Sequence, residues 1–223
     1  MRYHGCTMGE QMAKHGLGPA ILGWRRTVSP AVLAAGVRSV DAALGGWPRG
    51  RISEIVGPAS SGRTTLLHRL LARATARGEV CALVDALDAF DPVTAELSGV
   101  ELARLTWVRC GGHLEHVMRA ADLLLHAGGL GVVALDLGGV LEEALGRIPA
   151  PYWFRFRRAV EASETICVVL APRPVAKSCS ALIVETGLRR AGFTPRLFCA
   201  LDCRVAVRKP WQAAESVLHV EAM

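Results

Sequence analysis

The sequence predicts an α/β fold: a mostly parallel sheet with helices on both faces and antiparallel edge strands at the C-terminal end. Three observations carry this. Short apolar runs alternate with amphipathic segments between residues 52 and 170, the pattern of a parallel sheet covered on both sides. The stretch GPASSGRTT, 57–65, separates the first apolar run from the first amphipathic segment, giving the strand, glycine-rich turn and helix of a phosphate-binding loop. Two strand-like runs, 182–188 and 197–207, have only Gly192 and a Thr194-Pro195 turn between them. No crossover helix fits there, so they pair antiparallel at the sheet edge.

Taken in order, residues 1–36 read as an arm, a possible oligomerisation or docking segment, punctuated by Gly16, Gly18, Pro19, Gly23 and Pro30. Only 31–35 has helical character. Trp24, Arg25 and Arg26 suit either contact with a neighbouring subunit or an arm folded back on its own domain. The core runs over 37–210, followed by a tail, 211–223. Within the core, 39–44 is a short helix ended by Gly45 and Gly46. The turn Trp47-Pro48-Arg49-Gly50 leads into the strand 52–56. The loop helix covers 64–77 and stops at Gly78. A buried strand follows at 80–85, and a helix at 92–97 opens on Asp91-Pro92. Residues 105–108 form a third strand and 113–126 a helix with Val117, Ala120, Ala121 and Leu124 on one face. The strand 131–135 ends at Asp136, the helix 152–162 follows, and 166–170 is a fifth buried strand.

The loop has the spacing Gly57-x4-Gly62-x-Thr64. Gly57 and Gly62 allow backbone conformations that a Cβ resists, and Pro58, Ser60, Ser61, Thr64 and Thr65 complete the turn and helix start. The position after Gly62, where the motif carries Lys, is Arg63. A planar, forked guanidinium is a poor substitute for a compact ammonium at a tight site, although positive charge is kept. Lys occurs only at Lys14, Lys177 and Lys209, so compositional drift towards Arg in a working enzyme is the other account of Arg63. Asp136 ends a buried strand downstream of the loop, where a carboxylate holds magnesium or its water shell. The plain alternative is a carboxylate capping the following helix.

Other constellations are weaker. Cys110, His113 and His116 are three apart but have no fourth partner for zinc, and an ordinary helix start explains them. Cys199 and Cys203 fall on one face of a strand and read as core. The run 152–158, YWFRFRR, mixes rings with arginines and suits either single-stranded nucleic acid or a helix with half its rings buried.

Composition sets limits. A chain of 223 residues holds one sizeable core. A formal charge of +6 permits nucleic-acid binding without requiring it. No apolar run is long enough to span a bilayer, and the N-terminal stretch lacks the apolar segment of a secretory signal. Seven scattered cysteines, an odd number, fit a reducing compartment. The expectation is a soluble cytoplasmic protein, with no membrane association.

The run SVDAALGGWPRGRISEIVGPASSGRTTLLHRLLARATARGEVCALVDALDAFDP resembles the core of the bacterial recombinase RecA along its whole length, in the same order of features. More weakly, the resemblance continues through Asp136 to Arg208 and Lys209. It implies a RecA-like ATPase core, and leaves open whether the loop holds a nucleotide; if it does, ATP or ADP with magnesium is the cofactor to expect. It also shows departures. The catalytic Glu of that family falls at Leu87, which can neither orient nor deprotonate water, and losing a positioned base costs ~10²–10⁴ in rate. Asp88 is adjacent but one residue out of phase. Drift towards Arg explains Arg63 and does not explain Leu87. The two DNA-gripping loops of RecA correspond to 137–148 and 171–180, both short. The first carries Glu142 and Glu143; the second offers Arg173 and Lys177 without an aromatic residue. Arg208 and Lys209 match basic residues that RecA projects across a subunit boundary.

A divergent RecA-like core of this size is similar to the ImuA family, the RecA-like accessory proteins of bacterial mutasomes. That resemblance implies a role in SOS-induced translesion synthesis. The partners it implies are an ImuB-like protein, an error-prone DNA polymerase and RecA itself, with at most weak DNA binding and with oligomerisation open. Catalytic residues are expected to be none. The alternative is a DNA-dependent ATPase that retains hydrolysis, and a distant one is a division inhibitor of the SulA type.

Overall fold

The computed structural model describes residues 31–194, 198–210 and 215–221. An eight-stranded sheet runs through them in the order β10-β9-β8-β3-β7-β6-β4-β5. The central strand β3, Ile52–Val56, pairs in parallel with β7, Ile166–Ala171, and with β8, Ser180–Phe193. Beyond β7 lie β6 (Val132–Asp136), β4 (Cys81–Asp85) and β5 (Leu105–Arg109), all parallel. On the other side β9 (Phe198–Lys209) and β10 (Glu215–Glu221) continue antiparallel.

The inner strands are apolar on both faces because both faces are covered. Along β6, Val132 and Ala134 join one core cluster while Val133 and Leu135 join the other. Helix α2, Arg63–Thr75, covers the first face with Leu66, Leu67, Leu70, Leu71 and Ala74, helped by Val40 and Leu44 of α1, Arg38–Leu44. The opposite face is covered by α4 (Leu114–Ala127) through Val117, Met118, Ala121 and Leu125, and by α6 (Ala150–Glu161) through Trp153, Phe156 and Val160. Two short helices complete the set: α3, Pro92–Leu97, with Asp91 accepting from the Val93 and Thr94 amides, and α5, Glu142–Gly146.

Several expectations need correction. Residues 31–35 are not helical: β1, Val32–Leu33, pairs antiparallel with β2, Trp47–Pro48, and Leu33 and Ala35 are buried in the core. Asp41 fixes this segment by accepting from the amides of Ala35 (2.5 Å) and Gly36 (3.1 Å). The remainder of the arm, with Trp24, Arg25, Arg26 and Cys6, lies outside the described residues. The second expected edge element is interior, since β10 adds a further strand within 211–223, the stretch read as a tail, and that strand is the edge. The expected antiparallel pairing of the two runs is present between β8 and β9, while β8 itself runs parallel to β3. Among the described residues no helix is long and apolar enough to cross a membrane.

Candidate functional site

The loop follows the C-terminal end of β3, and each of its turns has a local cause. Gly57 has φ 151°, and a Cβ there would collide with the Thr186 carbonyl and stand 2.9 Å from Ser61 Oγ. Ser60 adopts φ 57°. Gly62, at φ 88°, is the N-cap of α2. A glycine has no side chain to satisfy the first-turn amides, so the helix start remains available to an anion. Pro58, Ser60 and Thr64 are exposed and Thr65 is half-buried. Ser61 is different: its hydroxyl is buried 2.6 Å from the Thr186 hydroxyl, which also donates to the Val56 carbonyl at 3.2 Å. Ser61 therefore offers a ligand its backbone only.

Arg63 and Asp136 come together across the loop at Gly138. Arg63 Nη2 donates to the Gly138 carbonyl at 3.1 Å, while Asp136 Oδ1 accepts from the Gly138 amide at 2.9 Å. Arg63 Nη1 is buried without a hydrogen-bond partner. Burial lowers the Arg63 pKa, opposed by the charge of Asp136. Burial likewise raises that of Asp136; the Gly138 amide and Arg63 oppose this and Asp85 adds to it. Asp136 thus closes the turn 136–138 and does not cap a helix, for α5 begins only at Glu142.

The carboxylates around Leu87 are already engaged. Asp85 is fully buried, opposite Asp136 in the sheet register, and accepts from the amides of Leu87, Ala89 and Phe90 and from the Trp107 indole at 2.9–3.2 Å. Asp88 pairs with Arg109 at 2.9 Å, on the β5 side. Leu87 is 46% exposed and lies against Gly139.

The two segments expected to correspond to DNA-gripping loops are packed. In 137–148, Leu145 and Ile148 are buried. In 171–180, Val175, Ala176 and Cys179 are buried, and the buried Glu54 accepts from the amides of Val175 (2.6 Å) and Ala176 (3.2 Å) and from the Ser180 hydroxyl. Arg173 pairs with Glu142 at 3.2 Å. Lys177 is exposed. Arg208 pairs with Glu185 at 2.5 Å, and Lys209 Nζ donates to the Ser178 carbonyl at 3.4 Å. Within this chain, then, three of the four basic residues proposed for DNA or subunit contact already have partners.

A cleft of about 640 Å³ opens beside the loop between α2, α3 and β10. It is lined by Thr64, Thr65, His68, Thr94 and Ser98 among others. His68 is 3% exposed, its Nε2 has no partner, and its ring stands edge-on to Phe90 at 5.9 Å. Thr64 and Thr65 belong to the loop motif, whereas sequence motifs did not single out His68, Thr94 or Ser98. The signal was the helical spacing that puts His68 one turn beyond Thr64. Elsewhere, Cys110 is buried directly after β5 and the rings of His113 and His116 are 4.9 Å apart. No cluster of three or more His, Cys, Asp or Glu side chains suited to a metal occurs among the described residues. Of the rings at 152–156, Trp153 and Phe156 are buried and Phe154 is half-exposed.

A parallel sheet with covered faces, a loop at the end of its central strand and an uncapped helix behind it define an α/β protein of the phosphate-binding-loop class. The chain belongs to the RecA family: the family model described as the RecA N-terminal domain matches residues 10–143. It is 40% identical to Protein RecA of Cutibacterium acnes over 126 residues, 55% of this chain and 36% of that protein. It is 47% identical to Protein RecA of Methylococcus capsulatus over 107 residues, 47% of this chain and 30% of that protein. The chain spans about a third of the length of the curated relatives it matches.

Proposed function

We propose that this protein is a RecA-like accessory factor in DNA damage repair that acts through binding, with its loop a nucleotide site that does not turn over. Translesion synthesis of the ImuA type is the process its residues fit best. The proposed partners are RecA, an ImuB-like protein and an error-prone polymerase, with weak DNA contact and self-association as secondary properties in the cytoplasm. The observation that carries this reading is the environment of Leu87. The carboxylates on either side are committed, Asp85 to three amides and an indole and Asp88 to Arg109. Neither is available to activate water, and Asp136 is closed on Gly138 beside Arg63. The packed state of 171–180 supports the same reading, because a segment anchored through Glu54 has little freedom to grip a strand.

The test is ATP turnover by the full chain with magnesium, with and without single-stranded DNA, alongside co-sedimentation with purified RecA. The expected result is no DNA-stimulated turnover and measurable association. Turnover that DNA stimulates and Asp136→Ala abolishes would make the protein an ATPase and overturn the accessory reading.

A further inference from the structure

We propose that the loop takes the phosphates of a nucleoside di- or triphosphate without a divalent cation, Arg63 supplying in its place the positive charge that the phosphates need. This rests on the loop being a nucleotide site and deepens that reading by naming the form of the ligand. Magnesium is the ion that the fold family implies here, and the residues do not fit it. Of the two carboxylates at neighbouring strand ends, Asp85 has its oxygens engaged by the amides of Leu87, Ala89 and Phe90 and by Trp107. Asp136 Oδ1 accepts from the Gly138 amide. The space in front of it is shared with a guanidinium: a Cβ built on Gly138 would stand 3.0 Å from Asp136 Oδ1 and 3.4 Å from Arg63 Nη2. A divalent ion placed there would meet a fixed positive charge at close range, which repels it.

The same geometry favours an anion. Arg63 has one anchored nitrogen, Nη2 on the Gly138 carbonyl, and one buried nitrogen, Nη1, with no acceptor. A buried donor without a partner is costly, and a phosphate oxygen is the acceptor a guanidinium binds best. Arg63 is the first residue of α2, so its unpartnered donor and the uncapped amides of the first turn belong to one short stretch of chain. The anchored nitrogen holds the group in position, and a rigid fork loses less freedom on binding than a flexible ammonium.

The experiment is titration calorimetry of ADP and ATP into the 223-residue chain, in excess magnesium and again in excess EDTA. Wild type and Arg63→Lys are compared after far-UV circular dichroism has shown both folded. Wild type is expected to bind with dissociation constants that agree within about threefold in the two buffers, whereas Arg63→Lys weakens about tenfold or more on chelation. Wild-type affinity that falls about tenfold in EDTA overturns the proposal. Absence of binding in both buffers also overturns it, and leaves the accessory role to stand on its partners. If Arg63→Lys does not fold, Arg63→Met provides the second arm: removal of the charge must abolish binding in EDTA, and retained binding there overturns the proposal. Turnover of Mg-ATP in the same samples counts against the accessory reading alone, so the two failures are separable.

Discussion

The sulfur of Cys203 on β9 packs against Gly62 at the start of α2, 2.8 Å from where a Cβ on that glycine would stand. Leu218 of β10 stands 3.5 Å from the same point. The antiparallel extension of the sheet thus backs the loop. Gly62→Ala is expected to destabilise the fold by about 1–3 kcal/mol, combining the cost of φ 88° for a residue with a Cβ and the contact with sulfur. Urea denaturation of Gly62→Ala with and without Cys203→Ala checks this. The second substitution should recover the steric share and leave the backbone share.

Glu54 is a carboxylate at the centre of the sheet, and its stabilising role is to hold the segment 171–180. Glu54→Ala leaves the amides of Val175 and Ala176 and the hydroxyl of Ser180 without their acceptor, so a loss of about 3 kcal/mol or more is expected. Glu54→Gln keeps one acceptor oxygen and should lose less. Thermal unfolding of the two variants gives the order, and equal losses would refute the assignment.

Asp136 gives a pH-dependent prediction. Its folded-state pKa is raised above the ordinary 3.8, chiefly by burial, so the unfolded state ionises more readily than the folded one. The penalty is absent below the unfolded pKa, grows as pH rises towards the folded value and is constant above it. Asp136→Asn should therefore be more stable than wild type at pH 7, with the advantage vanishing as pH falls below about 4. Urea midpoints of both proteins between pH 4 and pH 8 measure it. A variant less stable at pH 7 would show that the bond with Gly138 and the charge of Arg63 outweigh burial.

The proposed weak contact with single-stranded DNA should depend on Lys177 more than on Arg173 or Arg208. The last two are held by Glu142 and Glu185, and a cation already paired gains less from a phosphate. Fluorescence anisotropy against salt concentration is the measurement. Lys177→Ala is expected to lower the salt slope by about 1, and Arg173→Ala to leave it unchanged.

Much of the architecture was legible because its signals are local. Apolar runs between glycines marked the strands of the parallel sheet, and Asp91-Pro92 marked a helix start that the structure places at the same residue. The loop was readable from Gly57 and Gly62 for the same reason, since a backbone conformation that needs glycine writes itself into the sequence. What was misread depended on pairing at a distance. Residues 31–35 took a strand partner at Trp47–Pro48 in place of a helical turn, and β10 became the edge of a sheet whose order cannot be seen from spacing.

The candidate site divides along the same line. By itself the sequence determined the residue types: Arg63 in the loop, Leu87 beyond the strand that ends at Asp85, and Asp136 at the end of a buried strand. Only the tertiary structure decided their use. It turned Ser61 inward to Thr186, set Arg63 and Asp136 on opposite groups of Gly138, and spent Arg173 and Arg208 on glutamates. The physical reason is that a motif specifies backbone conformation over a few neighbouring residues. Which donor meets which acceptor is set by strand order and packing between segments far apart in the chain.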